Sequence, residues 1–351
     1  MKNTVSIKVI KGIAEMRRFS LEARKRGAKI ALVPTMGALH EGHLALVRAA
    51  RKKADTVVVS IFVNQLQFGP REDLSAYPRD LAGDVAKLRE LGVAVVFTPD
   101  AAEIYPPGHR THVEVEDLSS RLCGRARPTH FRGVTTVLAK LFAIAQPHQG
   151  WFGQKDYQQL LIVRKMVRDL NSEVEIHDVP TVRDADGLAL SSRNAYLTPE
   201  QRPAALTLQQ ALHVAARIMA KGERSAAKIV SNMREVIRAQ AGAEIEYISI
   251  CHPETLHELD TVEIRTLVAL AVRVGRARLI DNTLFDLREL SQRADLKKPA
   301  KPATPQPAGG GAKAAARAAG SPAARPTAKP AAKTAAGPAA SSAPKKKPAR
   351  R

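Results

Sequence analysis

Short, nearly continuous apolar runs alternate with stretches of helical spacing along the first half of the chain. Val5-Ser6-Ile7-Lys8-Val9-Ile10 reads as a short edge strand or lead-in, and an amphipathic helix through Arg18 and Leu21 runs from it to Gly27. Ile30-Ala31-Leu32-Val33 predicts a strand, and residues 44–50 a helix. The β-branched run Asp55-Thr56-Val57-Val58-Val59-Ser60-Ile61-Phe62-Val63 is of the kind found in a parallel strand covered on both faces. A helix over 80–91, a buried strand Ala94-Val95-Val96-Phe97 and a helix over 134–145 continue the series. Strand, helix, strand makes a right-handed βαβ unit the default, and such sheets bind ligands beyond the carboxyl ends of their strands.

The pattern changes at Thr198-Pro199-Glu200, a helix-start signal. Ala205, Leu208, Leu212, Ala215 and Met219 share one helical face, a second helix is expected over 226–239, and residues 245–250 and 267–272 read as strands. The predicted organisation is an α/β, Rossmann-like parallel-sheet domain over 1–197 and a smaller C-terminal α+β domain over 198–290 acting as a lid. Beyond residue 290 the composition collapses to Ala, Lys, Pro and Gly, with 10 of the 22 prolines and no aromatic residue to seed a core. Residues 291–351 are therefore expected to form a disordered basic tail.

Charge looks different once it is divided between these parts. The tail carries 14 Lys and Arg against one Asp, +13 of the total +21, which leaves +8 for residues 1–290. The folded part is moderately basic, as suits anionic substrates. The tail has the composition of a non-specific polyanion binder or of a solvated appendage. No apolar stretch reaches 18 residues, and no uninterrupted apolar segment follows Met1, so a cytoplasmic protein without a membrane anchor is expected. Cys123 and Cys251 are far apart and lack CxxC spacing, which predicts free buried thiols.

Candidate chemistry concentrates after the predicted strands. Between Val33 and the helix over 44–50 lies Pro34-Thr35-Met36-Gly37-Ala38-Leu39-His40-Glu41-Gly42-His43, a glycine-bearing turn into a helix start. Unpaired N–H groups and the helix dipole favour an anion there, and His40 and His43 share a side on which they can donate to phosphate. Their spacing is not that of the zinc-protease H-E-x-x-H motif. After the second strand, Asn64 and Gln67 offer uncharged donors and acceptors. Gly153-Gln154-Lys155-Asp156 places a mobile cation beside a glycine, with Gln159 opening the next helix. Asp186-Gly187 marks a hairpin turn, and Ser191-Ser192-Arg193 presents two hydroxyls and a guanidinium suited to phosphate oxygens. Residues 121–133, with Arg121, Arg125, Arg127 and Arg132, read as a cationic loop.

His40-Glu41-Gly42-His43 resembles the H-x-G-H signature of the adenylyl-transferring α/β superfamily that includes class I aminoacyl-tRNA synthetases. The longer string from Pro34 to His43, together with Trp151-Phe152-Gly153-Gln154-Lys155-Asp156-Tyr157-Gln158-Gln159, is similar to the pantothenate synthetase family over roughly residues 5–282. The resemblance implies condensation of (R)-pantoate with β-alanine through a pantoyl adenylate, with ATP giving AMP and pyrophosphate, and a homodimer. It implies that Met36, Gly37, Ala38, Leu39, His40, Glu41, Gly42, His43, Gly153, Gln154, Lys155, Asp156, Val182, Leu190, Ser191, Ser192 and Arg193 bind ATP, with Val182 offering backbone contacts to adenine. It places Asn64, Gln67 and Gln159 on pantoate and β-alanine. His40, His43, Lys155 and Arg193 become catalytic, with His43 as proton donor. Mg²⁺ accompanies ATP, and Asp84 falls where the family would hold it; read alone, Asp84 is a solvated helix carboxylate. Two positions depart from the family. Gln65 replaces a proline that would stiffen the loop, and Gln154 replaces a glutamate, which removes a charge beside the site.

Overall fold

The structure is a computed structural model describing residues 7–70 and 72–290. Six strands form one parallel sheet: β1 (Lys8–Ile10), β2 (Ile30–Thr35), β3 (Thr56–Ile61), β4 (Val95–Phe97), β5 (Gln149–Gly153) and β6 (Glu175–Val179), in the order β1-β4-β3-β2-β5-β6. Helices α1 (Ile13–Lys25), α2 (Glu41–Arg51), α3 (Leu81–Glu90), α4 (Ala101–Ile104), α5 (Cys123–Ala126), α6 (His130–Ala145) and α7 (Tyr157–Asp169) are interspersed. Val57, Val58 and Val59 are fully buried, as an unbroken β-branched run requires when both faces are covered.

The strand order decides where a ligand can lie. From β2 the chain builds outward through β3 and β4, then returns to the other side of β2 with β5 and β6. The turns leaving β2 and β5 therefore diverge and open a crevice at the carboxyl end of the sheet. Strands β5 and β6 were not foreseen. β5 contains Gly150 and Gly153, and β6 reads Glu-Ile-His-Asp-Val, so neither presents an apolar run. Helix α6 starts at His130, four residues before the predicted 134, because the cationic segment is itself partly helical.

The second half begins with α8 (Arg202–Ala220) and α9 (Ala226–Arg238), which pack on an antiparallel sheet of β7 (Ala243–Cys251), β8 (Arg265–Val274) and β9 (Ala277–Asp286) in sequential order. Ala205, Leu208, Leu212, Ala215 and Met219 join one core cluster, as their spacing predicted. Cys123 and Cys251 are both buried and free. No helix among the described residues is long and apolar enough to cross a membrane. The expected basic tail, 291–351, and its polyanion binding lie outside the described residues.

Candidate active site

The first signature is built on a turn that its own sequence does not favour. Beyond β2, Gly37 and Ala38 both adopt positive φ, +84° and +52°, and the alanine carries a steric cost there. Asp84 offsets it from beneath. This α3 side chain is 0% exposed and accepts the N–H groups of Ala38 (2.8 Å) and Leu39 (2.7 Å). An added Cβ on Gly37 would lie 3.2 Å from the same carboxylate. Asp84 is thus neither a solvated carboxylate nor one of the residues lining the cavity, because the turn's two N–H groups occupy its oxygens.

The two histidines cap α2, and their hydrogen bonds fix their tautomers. His40 Nδ1 accepts Gly42 N–H at 3.2 Å, and His43 Nδ1 accepts His40 N–H at 3.4 Å. A neutral ring that accepts at Nδ1 carries its proton on Nε2. Burial, reinforced for both by the nearby Lys155, pushes His40 down to about 4 and His43 to about 3. At neutral pH both are uncharged Nε2–H donors. Glycine at 42 is required because an added Cβ would stand 2.9 Å from the His40 ring.

Beyond β3, Asn64 is 1% exposed and pins the loop on which Gln65 replaces the expected proline. Its amide donates to Gly133 O (2.9 Å) and Gln67 Oε1 (3.0 Å), and its oxygen accepts from Tyr105 OH (2.7 Å). Three bonds from a buried side chain hold the turn that a proline ring would otherwise stiffen. Gln67 is fixed at its other end as well, its carbonyl meeting His130 Nδ1 (2.9 Å) and Arg127 Nη2 (3.2 Å). Helix α6 approaches so closely that a Cβ on Gly133 would lie 2.3 Å from Leu66 O. His130, which sequence reasoning missed, is driven by burial to about 3 and stays neutral.

Beyond β5 and β6 come the cationic pieces. Lys155 lies 3.8 Å from Asp156, and both line the cavity. The Gln154 side chain turns away from it and donates to Asp178 Oδ2 of β6 at 2.5 Å, so the lost family charge faces another carboxylate and not a ligand. The hairpin at Asp186-Gly187 forms as expected, with Leu190 N–H on Val182 O (3.0 Å). Ser192 Oγ donates to Ala38 O (3.2 Å), joining the Ser191-Ser192-Arg193 segment to the turn after β2. Arg193 forks onto Asp73 through Nε (3.1 Å) and Nη2 (3.0 Å).

These four turns converge on a cavity of about 1210 Å³. Met36, His40, Gly42, His43, Asn64, Gln67, Gly153, Lys155, Asp156, Gln159, Val182, Leu190, Ser191, Ser192 and Arg193 line it. Gly37, Ala38, Leu39, Glu41 and Gln154 do not; Glu41 instead pairs with Arg48 at the surface. The antiparallel sheet supplies the opposite wall, including Arg273, Arg278 and Asn282. Asn282 Nδ2 donates to the carbonyls of Gln154 (3.1 Å) and Lys155 (2.8 Å), and Arg183 forks onto the buried Asp281 (2.6 and 2.9 Å). Arg278 forks onto Glu246 in that wall, and nothing local in the sequence singles it out; His252, equally unmarked in the sequence, accepts Glu254 N–H within its own turn. Of the cationic loop, Arg127 reaches the cavity, while Arg121 and Arg125 pair with Asp117 and Glu258.

The pantoate–β-alanine ligase family model matches residues 8–284, which span every element of this site. The chain belongs to that family. A pantothenate synthetase from Moorella thermoacetica is 52% identical over 283 residues, covering 81% of this chain and 100% of that protein. One from Thermotoga petrophila is 51% identical, with 80% and 100% covered. Among solved structures, a pantothenate synthetase of Thermus thermophilus aligns with a TM-score of 0.75 at 46% identity, covering 80% of this chain and 99% of its own. The pantoate–β-alanine ligase of Francisella tularensis, solved with β,γ-ATP and β-alanine, aligns at 0.66 and 33% identity, covering 80% and 98%. The ligase family thus takes in both halves of the described chain, and the matches stop short of the tail.

Proposed function

We propose that the chain joins (R)-pantoate to β-alanine in two steps at this one cavity, with ATP as the energy source. The observation that carries the reading is the convergence on one cavity of neutral imidazole donors, Lys155, Ser192, Arg193, the oriented amide of Gln67 and Gln159. A pantoate carboxylate oxygen attacks the α-phosphorus, and pyrophosphate leaves. His40 and His43 donate Nε2–H bonds to the phosphates, while Lys155 and Arg193 meet the charge that grows on pyrophosphate. The amine of β-alanine then attacks the acyl carbonyl of the adenylate and expels AMP. An acyl adenylate hydrolyses readily, and the β7–β9 sheet walls the cavity against water.

Mg²⁺ enters with ATP and neutralises phosphate charge. Five carboxylates line the cavity: Glu72, Asp73, Asp156, Glu246 and Asp281. Arginines fork four of them, and Asp156 is the one left without such a partner among the described residues, so it fits Mg²⁺ better than Asp84 does. We carry over the homodimer and the cytoplasmic location as parts of the same reading.

The test is exchange of labelled pyrophosphate into ATP with Mg²⁺ and pantoate but without β-alanine. Pantoate-dependent exchange supports the adenylate step. No exchange in the presence of pantoate would refute it.

A further inference from the structure

Two consecutive carboxylates, Glu72 and Asp73, lie in the segment between the Asn64 turn and α3, and both line the cavity. Glu72 accepts from Arg127 through Nε (2.7 Å) and Nη2 (2.5 Å), and Arg127 Nη2 also donates to Gln67 O (3.2 Å). Asp73 accepts from Arg193 through Nε (3.1 Å) and Nη2 (3.0 Å). Adjacent residues of one short segment thus grip two arginines from distant parts of the chain, Arg127 just after α5 and Arg193 after the hairpin at Asp186-Gly187.

The manner of gripping matters more than the pairing. Each carboxylate takes the Nε/Nη2 edge of its guanidinium, and neither Nη1 has a protein partner among the described residues. A planar fork held along one edge has its remaining donors aimed in a fixed direction. The arginine side chains are 13% and 23% exposed, so these are not solvated surface bridges. The Tyr77 ring, 5.8 Å from the Arg193 guanidinium, and a bond from Tyr196 OH to Ala76 O (3.2 Å) fasten the same end of the segment.

We propose that Glu72 and Asp73 are a paired positioning device, in which Asp73 aims Arg193 at the nucleotide and Glu72 aims Arg127, and through it Gln67, at the acid to be activated. The proposal rests on the two-substrate reading above. It assigns neighbouring residues to different substrates, an outcome that a merely structural loop does not produce.

The experiment measures KM for ATP and for pantoate, together with thermal midpoints, in full-length Asp73→Asn and Glu72→Gln. Both replacements are isosteric and keep one acceptor oxygen. Asp73→Asn is expected to raise the ATP KM about tenfold or more and to move the pantoate KM less than about twofold; Glu72→Gln is expected to do the reverse. In an Arg193→Lys background, which has no fork to hold, Asp73→Asn should add less than about twofold. Each variant carries one half of the pattern, so a variant that does not fold leaves the other to decide. Equal rises in both KM values, or no change in either, overturns the proposal. A wild-type chain without pantoate-dependent exchange removes the two-substrate reading and the proposal with it.

Discussion

Asp84→Asn separates a turn-holding carboxylate from a metal ligand. In the wild type, two backbone N–H groups end on one fully buried carboxylate, at 2.8 and 2.7 Å. An asparagine presents one oxygen and one NH₂ group to the same pair. One bond survives in weaker, neutral form, the other is lost, and a buried N–H then faces a donor. A bond to a charged group contributes about 1.5–3 kcal/mol and an orphaned buried donor costs about 1–3 kcal/mol, so the expected loss is about 3–5 kcal/mol. For a folded part of this size that lowers the thermal midpoint by roughly 5–9 °C, readable by calorimetry. The ATP KM should rise as well, because the turn that presents His40 relaxes. A metal ligand would behave differently, with little change in midpoint and a higher Mg²⁺ requirement for half-maximal activity. A midpoint within about 1 °C of wild type would refute the argument, since one orphaned donor alone accounts for more than that.

Four further outcomes follow from the same geometry. His43→Ala should lower kcat about 10²-fold, the loss typical of a removed transition-state donor, and near-normal turnover would sink that role. His40, His43 and His130 are held near 4, 3 and 3 in the folded chain and return to about 6.5 when it unfolds. Between those limits the unfolded chain binds more protons, so stability falls as pH drops from about 6.5 towards 4, by up to about 1.4 kcal/mol per pH unit for each histidine. Denaturant titrations at pH 7 and 5.5, where carboxylates contribute little, should show this, and His130→Gln should reduce the slope. Gln154→Glu replaces a hydrogen bond to Asp178 with a second carboxylate, whose repulsion the Arg164 guanidinium on Asp178 partly offsets; we expect a loss of at most about 1 kcal/mol in urea unfolding at pH 7 with turnover almost unchanged, because the side chain faces away from the cavity. Gly133→Ala forces a methyl group to within 2.3 Å of Leu66 O, and a loss of about 3 kcal/mol with a raised pantoate KM is expected from the same assays.

Local pattern along the chain was enough to specify several parts of this protein before any fold was known. The β-branched run of β3, the apolar face of α8 and the glycine-bearing strings after β2 and β5 are short-range signals, and each led to the correct element or turn. Strands β5, β6 and β9 escaped because they mix polar residues or glycines into the apolar pattern, and pairing with a neighbour, not propensity, makes them strands. Asn64 and Gln67 could be nominated from residue type and their place after a predicted strand, whereas Lys155, Gln159 and Ser192 were nominated chiefly by the family strings they sit in; all five line the cavity. Roles were another matter. Whether Asp84 faces solvent, metal or backbone depends on how α3 lies under a turn 46 residues earlier, and Gln154 faces Asp178 only because β5 and β6 pair in register. Glu72, Asp73, Arg127 and His130 carry no pattern of their own in the chain. Burial and opposing charge give them meaning, and both are properties of the folded molecule alone.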